Sequence, residues 1–121
     1  MNTADLIAID THTHLEVSCW NPFDSYGEEY DRAADKYFRS SRRPTMQETI
    51  DYYREKKIGF VNFTVDAETQ MGRRRIPNEE IAEAAQANPD IMIAFGSIDP
   101  HKGKMGGREA AKVVLDVYRL T

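Results

Sequence analysis

Two of the chain's three histidines stand one residue apart in the segment IDTHTHLE, after a short apolar run, with an aspartate two residues before the first. Side chains on a strand alternate between its faces, so Asp10, His12 and His14 are expected to point the same way. Residues two apart on a strand have Cα atoms roughly 6.6 Å apart, from a rise of ~3.3 Å per residue. Two imidazoles leaning toward a shared point can then hold one divalent ion at N–metal distances of ~2.0–2.1 Å. Asp10 is placed to act from outside the ligand set, by orienting a ligand or polarising bound water. The plain alternative is a pair of loop histidines just past a strand end with no joint task.

The elements that would position these groups alternate along the chain. Leu6 to Asp10 is apolar and β-branched and reads as a strand. A polar and aromatic stretch runs from Glu16 to about Arg43. Thr45 and Glu48 then form the capping box TMQE, which starts a helix through Ile50 and Tyr53 to Lys57, with Gly59 able to end it in the left-handed conformation. GFVNFTVDA reads as a second strand. Asn78 is the expected N-cap of a second helix, with Glu79 and Glu80 at its positive end, a packing face of Ile81, Ala82, Ala84 and Ala85, and a stop at Asn88-Pro89. IMIAFGSID reads as a third strand. After a KGKMGG loop, Ala110, Val113, Val114, Val117 and Leu120 form the apolar stripe of a last helix. This β-α-β-α-β-α order predicts an α/β fold with a parallel sheet.

IDTHTHLE resembles the first-strand signature of the metal-dependent amidohydrolase superfamily and is most similar to its amidohydrolase-related branch. That branch contains hydrolases, hydratases and non-oxidative decarboxylases of carboxylated aromatic or unsaturated compounds. PNEEIAEAAQANPDIMIAFGSIDP is similar to the second helix and third strand of the branch, and the resemblance extends from Ile7 to about Arg108. It implies the N-terminal part of a TIM-type (β/α)8 barrel, about three βα units, in which His12 and His14 hold Zn²⁺ or a similar divalent metal. The family completes its site with a histidine on the fifth strand, often another on the sixth, and an aspartate on the eighth. A barrel of this kind needs ~250 residues. Residues 1–121 are therefore expected to be a single incomplete domain, truncated and inactive alone, with its acid/base groups beyond residue 121.

The resemblance implies a metal-dependent hydrolase acting on a small carboxylated substrate. A non-oxidative decarboxylase (carboxy-lyase) of the same branch uses the same two histidines. A non-catalytic truncated paralogue or fragment is the third reading.

Further candidates fall on loops after the strands, where such barrels build their sites. Trp20, Phe23, Tyr26, Tyr30, Tyr37 and Phe38 make either a lid that stacks on a planar substrate or an ordinary satellite core. Arg73, Arg74 and Arg75 follow the second strand, as a carboxylate clamp or as a solvated charge run. Cys19 sits either near the metal or, as the simpler reading, as a lone small buried thiol. His101, after Asp99 and Pro100, is a conceivable third ligand at a position the family does not use, and Asp99 before the proline is expected to shape the turn. KGKMGG lacks the spacing of a phosphate-binding loop.

Composition bounds the partners. Sixteen Lys and Arg against twenty Asp and Glu give a net charge of −4, which argues against general affinity for nucleic acid or an anionic membrane surface. One cysteine excludes an intrachain disulfide framework and suits a reducing compartment. No basic-then-apolar leader is present at the N-terminus and no apolar run reaches the ~20 residues of a membrane span, so a cytoplasmic location is expected. A three-stranded parallel sheet leaves two open edges and, with helices on one side, an apolar face, so homo-oligomerisation or other association is expected.

Overall fold

In the computed structural model, which describes residues 1–21, 28–39 and 43–120, the apolar run before the histidines opens strand β1 (Ala8–His14). This strand extends past Asp10, where composition alone would end it, and carries both histidines. Parallel strands β2 (Ile58–Phe63) and β3 (Met92–Ala94) follow in the order β1-β2-β3. Helix α1 (Glu28–Phe38) falls within the polar and aromatic stretch, and α2 (Met46–Lys56) leads into β2. The short α3 (Glu68–Met71) and α4 (Asn78–Ala87) connect β2 to β3, and α5 (Lys104–Leu120) comes last. The fold is mixed α/β with a small parallel sheet.

Sequential strand order with crossovers of one hand puts the connecting helices on one face of the sheet. The core lies on that face. Phe60 and Ile81 are 0 % exposed and pack with Ile50, Met46, Met92, Ile91, Ile76 and Leu15, each such burial contributing ~1.5–3 kcal/mol. The other face is only partly covered: Val61 at its centre is 4 % exposed, while Ile9 is 42 %, Phe95 55 % and Ile7, just ahead of β1, 75 % exposed.

The TMQE box forms as expected. Thr45 Oγ1 accepts the Glu48 N–H (3.3 Å), and Glu48 Oε2 accepts the Thr45 N–H (2.9 Å). The helix does not end at Gly59, however. Lys57 takes the left-handed conformation (φ 54°), because Ile7 already pairs with its carbonyl (N···O 2.9 Å) and the chain must turn two residues before the glycine. At the far end of α2, Arg54 grips Asp90 (3.1 Å) and Asn88 (2.9 Å) in the turn before β3.

Asn78 is the first residue of α4 and not its cap; Pro77 occupies the cap position without a side-chain bond. The Asn78 amide instead donates to the Ser97 carbonyl and accepts the Ser97 N–H, both at 2.9 Å. This two-way clamp engages the Ser97 backbone that a longer β3 would offer to a ladder, and β3 ends at Ala94 rather than at Asp99. Part of the expected KGKMGG loop is helical, since Lys104 to Gly107 make the first turn of α5. A Cβ at Gly106 would lie 3.0 Å from the Asp99 carbonyl oxygen, so a larger residue there would need the neighbouring backbone to give by a few tenths of an ångström. Of the α5 stripe, Val113 is buried and Val114 is 52 % exposed; the side chains of Val117 and Leu120 lie outside the described set. Among the described residues, no helix is long and apolar enough to cross a membrane.

Candidate metal centre

Pairing along β1 is regular at Ala8, Ile9 and Asp10, opposite Ile58, Gly59 and Phe60. It resumes with Thr13 opposite Asn62 and His14 opposite Phe63. Three steps on β1 therefore match two on β2, which is a β-bulge across Thr11 and His12. An extra residue reverses the alternation, and the contacts follow. Asp10 faces the helices, where Tyr53 of α2 donates its hydroxyl to Oδ2 at 2.7 Å. Thr13 also faces them, accepting from the buried Asn62 amide (2.9 Å) and donating to the Val61 carbonyl (2.7 Å). His12 and His14 face the open side, their ring centroids 5.4 and 4.6 Å from that of Phe63. The expectation that all three share a face is thus corrected for Asp10. Its remaining link to the pair is through the backbone, Oδ1 accepting the His12 N–H at 3.1 Å.

The two imidazoles meet at Nε2, 3.0 Å apart, with ring centroids at 4.8 Å and planes inclined by 38°. In a neutral pair one ring donates to the other; two imidazolium rings at this separation repel. The same separation fits a shared ion. Two bonds of ~2.0–2.1 Å reach both nitrogens with an angle of roughly 95° at the metal, which a small ring rotation opens toward tetrahedral. Burial, and then the neighbouring His12, push His14 below its ordinary pKa against the opposing pull of Glu16. That favours the neutral form, the one a metal requires. No family model, curated protein or solved structure matches this chain.

Tyr53's hydrogen bond, ahead of the His12 N–H, holds Asp10 below the usual carboxylate range, so it stays an acceptor. Burial and then Asp10 push the Tyr53 phenol up, so it stays a donor. From sequence, Tyr53 is only a position along α2. The signal available was its chemistry, since a half-buried tyrosine needs a partner for its hydroxyl. A cleft of about 570 Å³ runs between the end of β1 and α2, lined by Thr13, His14, Glu48, Tyr52 and Tyr53 among others. Tyr52, 56 % exposed, gives it an aromatic wall.

None of the other sequence candidates that are described lines this cleft. Trp20 is exposed, its backbone N–H donating to Ser18 Oγ at 3.2 Å. Phe23 and Tyr26, and the side chains of Tyr30 and Phe38, lie outside the described residues, and Tyr37 is exposed. Arg73 is half-buried and Arg74 exposed, while Arg75 enters ion pairs with Asp66 (3.1 Å) and Glu109. The arginine run is therefore not a solvated charge run throughout. Cys19 is exposed and not buried. Its backbone N–H and the Ser18 hydroxyl bond to the two oxygens of Glu80 at 2.5 and 2.7 Å. Glu80, read from sequence only as a helix-dipole partner, is buried and fastens the turn after β1 to α4. His101 bonds Asp99 (3.1 Å) with its side chain 59 % exposed. Among the described residues, no three of His, Cys, Asp and Glu converge on one ion position.

Asp99 does shape its turn, accepting N–H groups from Thr69 (2.8 Å) and His101 (2.9 Å). Thr69, ahead of His101, holds this carboxyl far below its ordinary range. Glu68 is lowered by Lys102, and Asp90 by Arg54. A depressed folded-state pKa stabilises the protein above the unfolded-state pKa and is lost as the pH falls toward the folded one. The thermal midpoint should therefore drop steeply below about pH 4, and Asp99→Asn should flatten that drop. Scanning calorimetry across pH checks it; an acid limb unchanged in Asp99→Asn would rule out Asp99 as a contributor.

Proposed function

We propose that the chain belongs to a metal-dependent hydrolase of the amidohydrolase-related type, supplying the first three βα units of a TIM-type barrel. The observation that carries this reading is the His12–His14 pair, Nε2 to Nε2 at 3.0 Å, at the C-terminal end of the first strand. Support comes from the sequential parallel sheet with its core on one face, the arrangement a barrel repeats, and from the resemblance of IDTHTHLE to the family's first strand. His12 and His14 would hold the divalent ion, Zn²⁺ by the borderline softness of imidazole nitrogen, with the remaining ligands and the acid/base group outside residues 1–121. When bound, the ion supplies Lewis acidity toward a carbonyl or carboxylate of a small carboxylated substrate. Phe63 backs both rings and limits their rotation. The cleft beside His14 offers Tyr52 for stacking on a planar substrate.

A carboxy-lyase of the same branch would use the same two ligands. A non-catalytic module that keeps only the histidine pair is the remaining reading. Calorimetric titration with zinc tests the assignment. One weak site per chain is expected, with affinity falling at least about tenfold in the His12→Ala/His14→Ala variant as both ligands are lost. Equal affinities in the two proteins would sink it.

A further inference from the structure

We infer that Asp10 and Tyr53 are positioning residues for the histidine pair, a clamp that fixes the β1 bulge and so decides which side chains reach the open face. This rests on the metal reading above and deepens it.

A bulge leaves one residue unpaired and the ladder locally interrupted, so the segment needs other restraints. Without the bulge, Thr11, His12 and Thr13 would pair in sequence opposite Val61, Asn62 and Phe63. A slip of one residue moves every side chain beyond it to the other face. His12 would then point toward the helices, and Thr13 toward the open side. Downstream, the bulge is pinned by Thr13, bonded to β2 through Asn62 and Val61. Upstream, it is pinned by Asp10, whose oxygens are both engaged. Oδ1 accepts the His12 N–H (3.1 Å), curling the chain within the bulge, and Oδ2 accepts the Tyr53 hydroxyl (2.7 Å). The Tyr53 ring is stacked on Phe60 at 4.5 Å and 19°, and Phe60 is 0 % exposed. The position of the hydroxyl is therefore set by the core, and it fixes the rotation of the carboxylate that holds His12. Tyr53 acts only through Asp10.

The test uses the whole chain as Tyr53→Phe, Asp10→Ala and the double variant, with zinc titration and the ¹⁵N–¹H shifts of the His12 amide as readouts. Removing partners that orient ligands weakens metal binding by roughly 10–100-fold; Asp10→Ala should fall in that range and Tyr53→Phe near its lower end. The double variant should bind no more weakly than Asp10→Ala, because one residue works through the other. The His12 amide resonance should move in Tyr53→Phe without metal. Tyr53→Phe keeps the ring on Phe60, so it stays informative if Asp10→Ala fails to fold. Wild-type affinity and an unmoved His12 amide in Tyr53→Phe would overturn the clamp, as would losses that multiply in the double variant. Failure of the metal reading is separate: His12→Ala/His14→Ala would then bind zinc like the wild type while the amide shift in Tyr53→Phe persists.

Discussion

Phe60→Ala is expected to lower the unfolding free energy by about 3–5 kcal/mol, the range for removing a buried phenylalanine. Phe60 is 0 % exposed, pairs in register with Met92 and Asp10, and carries the stacked Tyr53 ring. Its loss leaves a cavity between α2, α4 and the sheet that flanking Ile50 and Ile81 can close only in part. Since a small domain is stable by only ~5–15 kcal/mol, the variant should sit at the edge of unfolding. Urea titration should show a much lower midpoint with an unchanged slope. The folded fraction should also bind zinc more weakly, because Tyr53 loses its platform. A midpoint within error of wild type would mean that the core is not organised around this ring.

Asp66→Ala is the second large effect, expected at about 3 kcal/mol, the low end for breaking a buried ion pair. The Asp66 side chain is 0 % exposed and lies 2.9 Å from Lys102 Nζ and 3.1 Å from Arg75 Nε. It ties the chain after β2 to the turn after β3. Removing it leaves two largely buried cations facing Glu68 and Glu109 alone. Those two carboxylates keep the loss from reaching the top of the range. Chemical denaturation of Asp66→Ala beside Lys112→Ala measures it. Lys112 pairs with Glu79 in the open (2.9 Å, side chain 65 % exposed), and such an exposed pair is worth only ~0–1 kcal/mol. Comparable losses in the two variants would refute the assignment of the Asp66 cluster to the stability of the fold.

What could be read from sequence was whatever a short window contains. The alternation of strands and helices, the TMQE cap and the Ile81–Ala82 packing face depend on periodicity and on neighbours within four residues, and the structure has each of them. The meeting of His12 with His14 was legible for the same reason, since residues two apart remain on one face even within this bulged strand. The position of Asp10 was not. Strict alternation would put it with the histidines, and only pairing with β2, a strand more than forty residues later, inserts the extra residue that turns it to the helices. Its partner Tyr53 comes from α2, and the partner of Asn78 is Ser97 rather than its own helix end. In each case a polar side chain was drawn from the locally favoured role by a group far along the chain. A buried donor or acceptor must be satisfied by whatever the packed structure brings to it, and sequence periodicity does not say which group that will be.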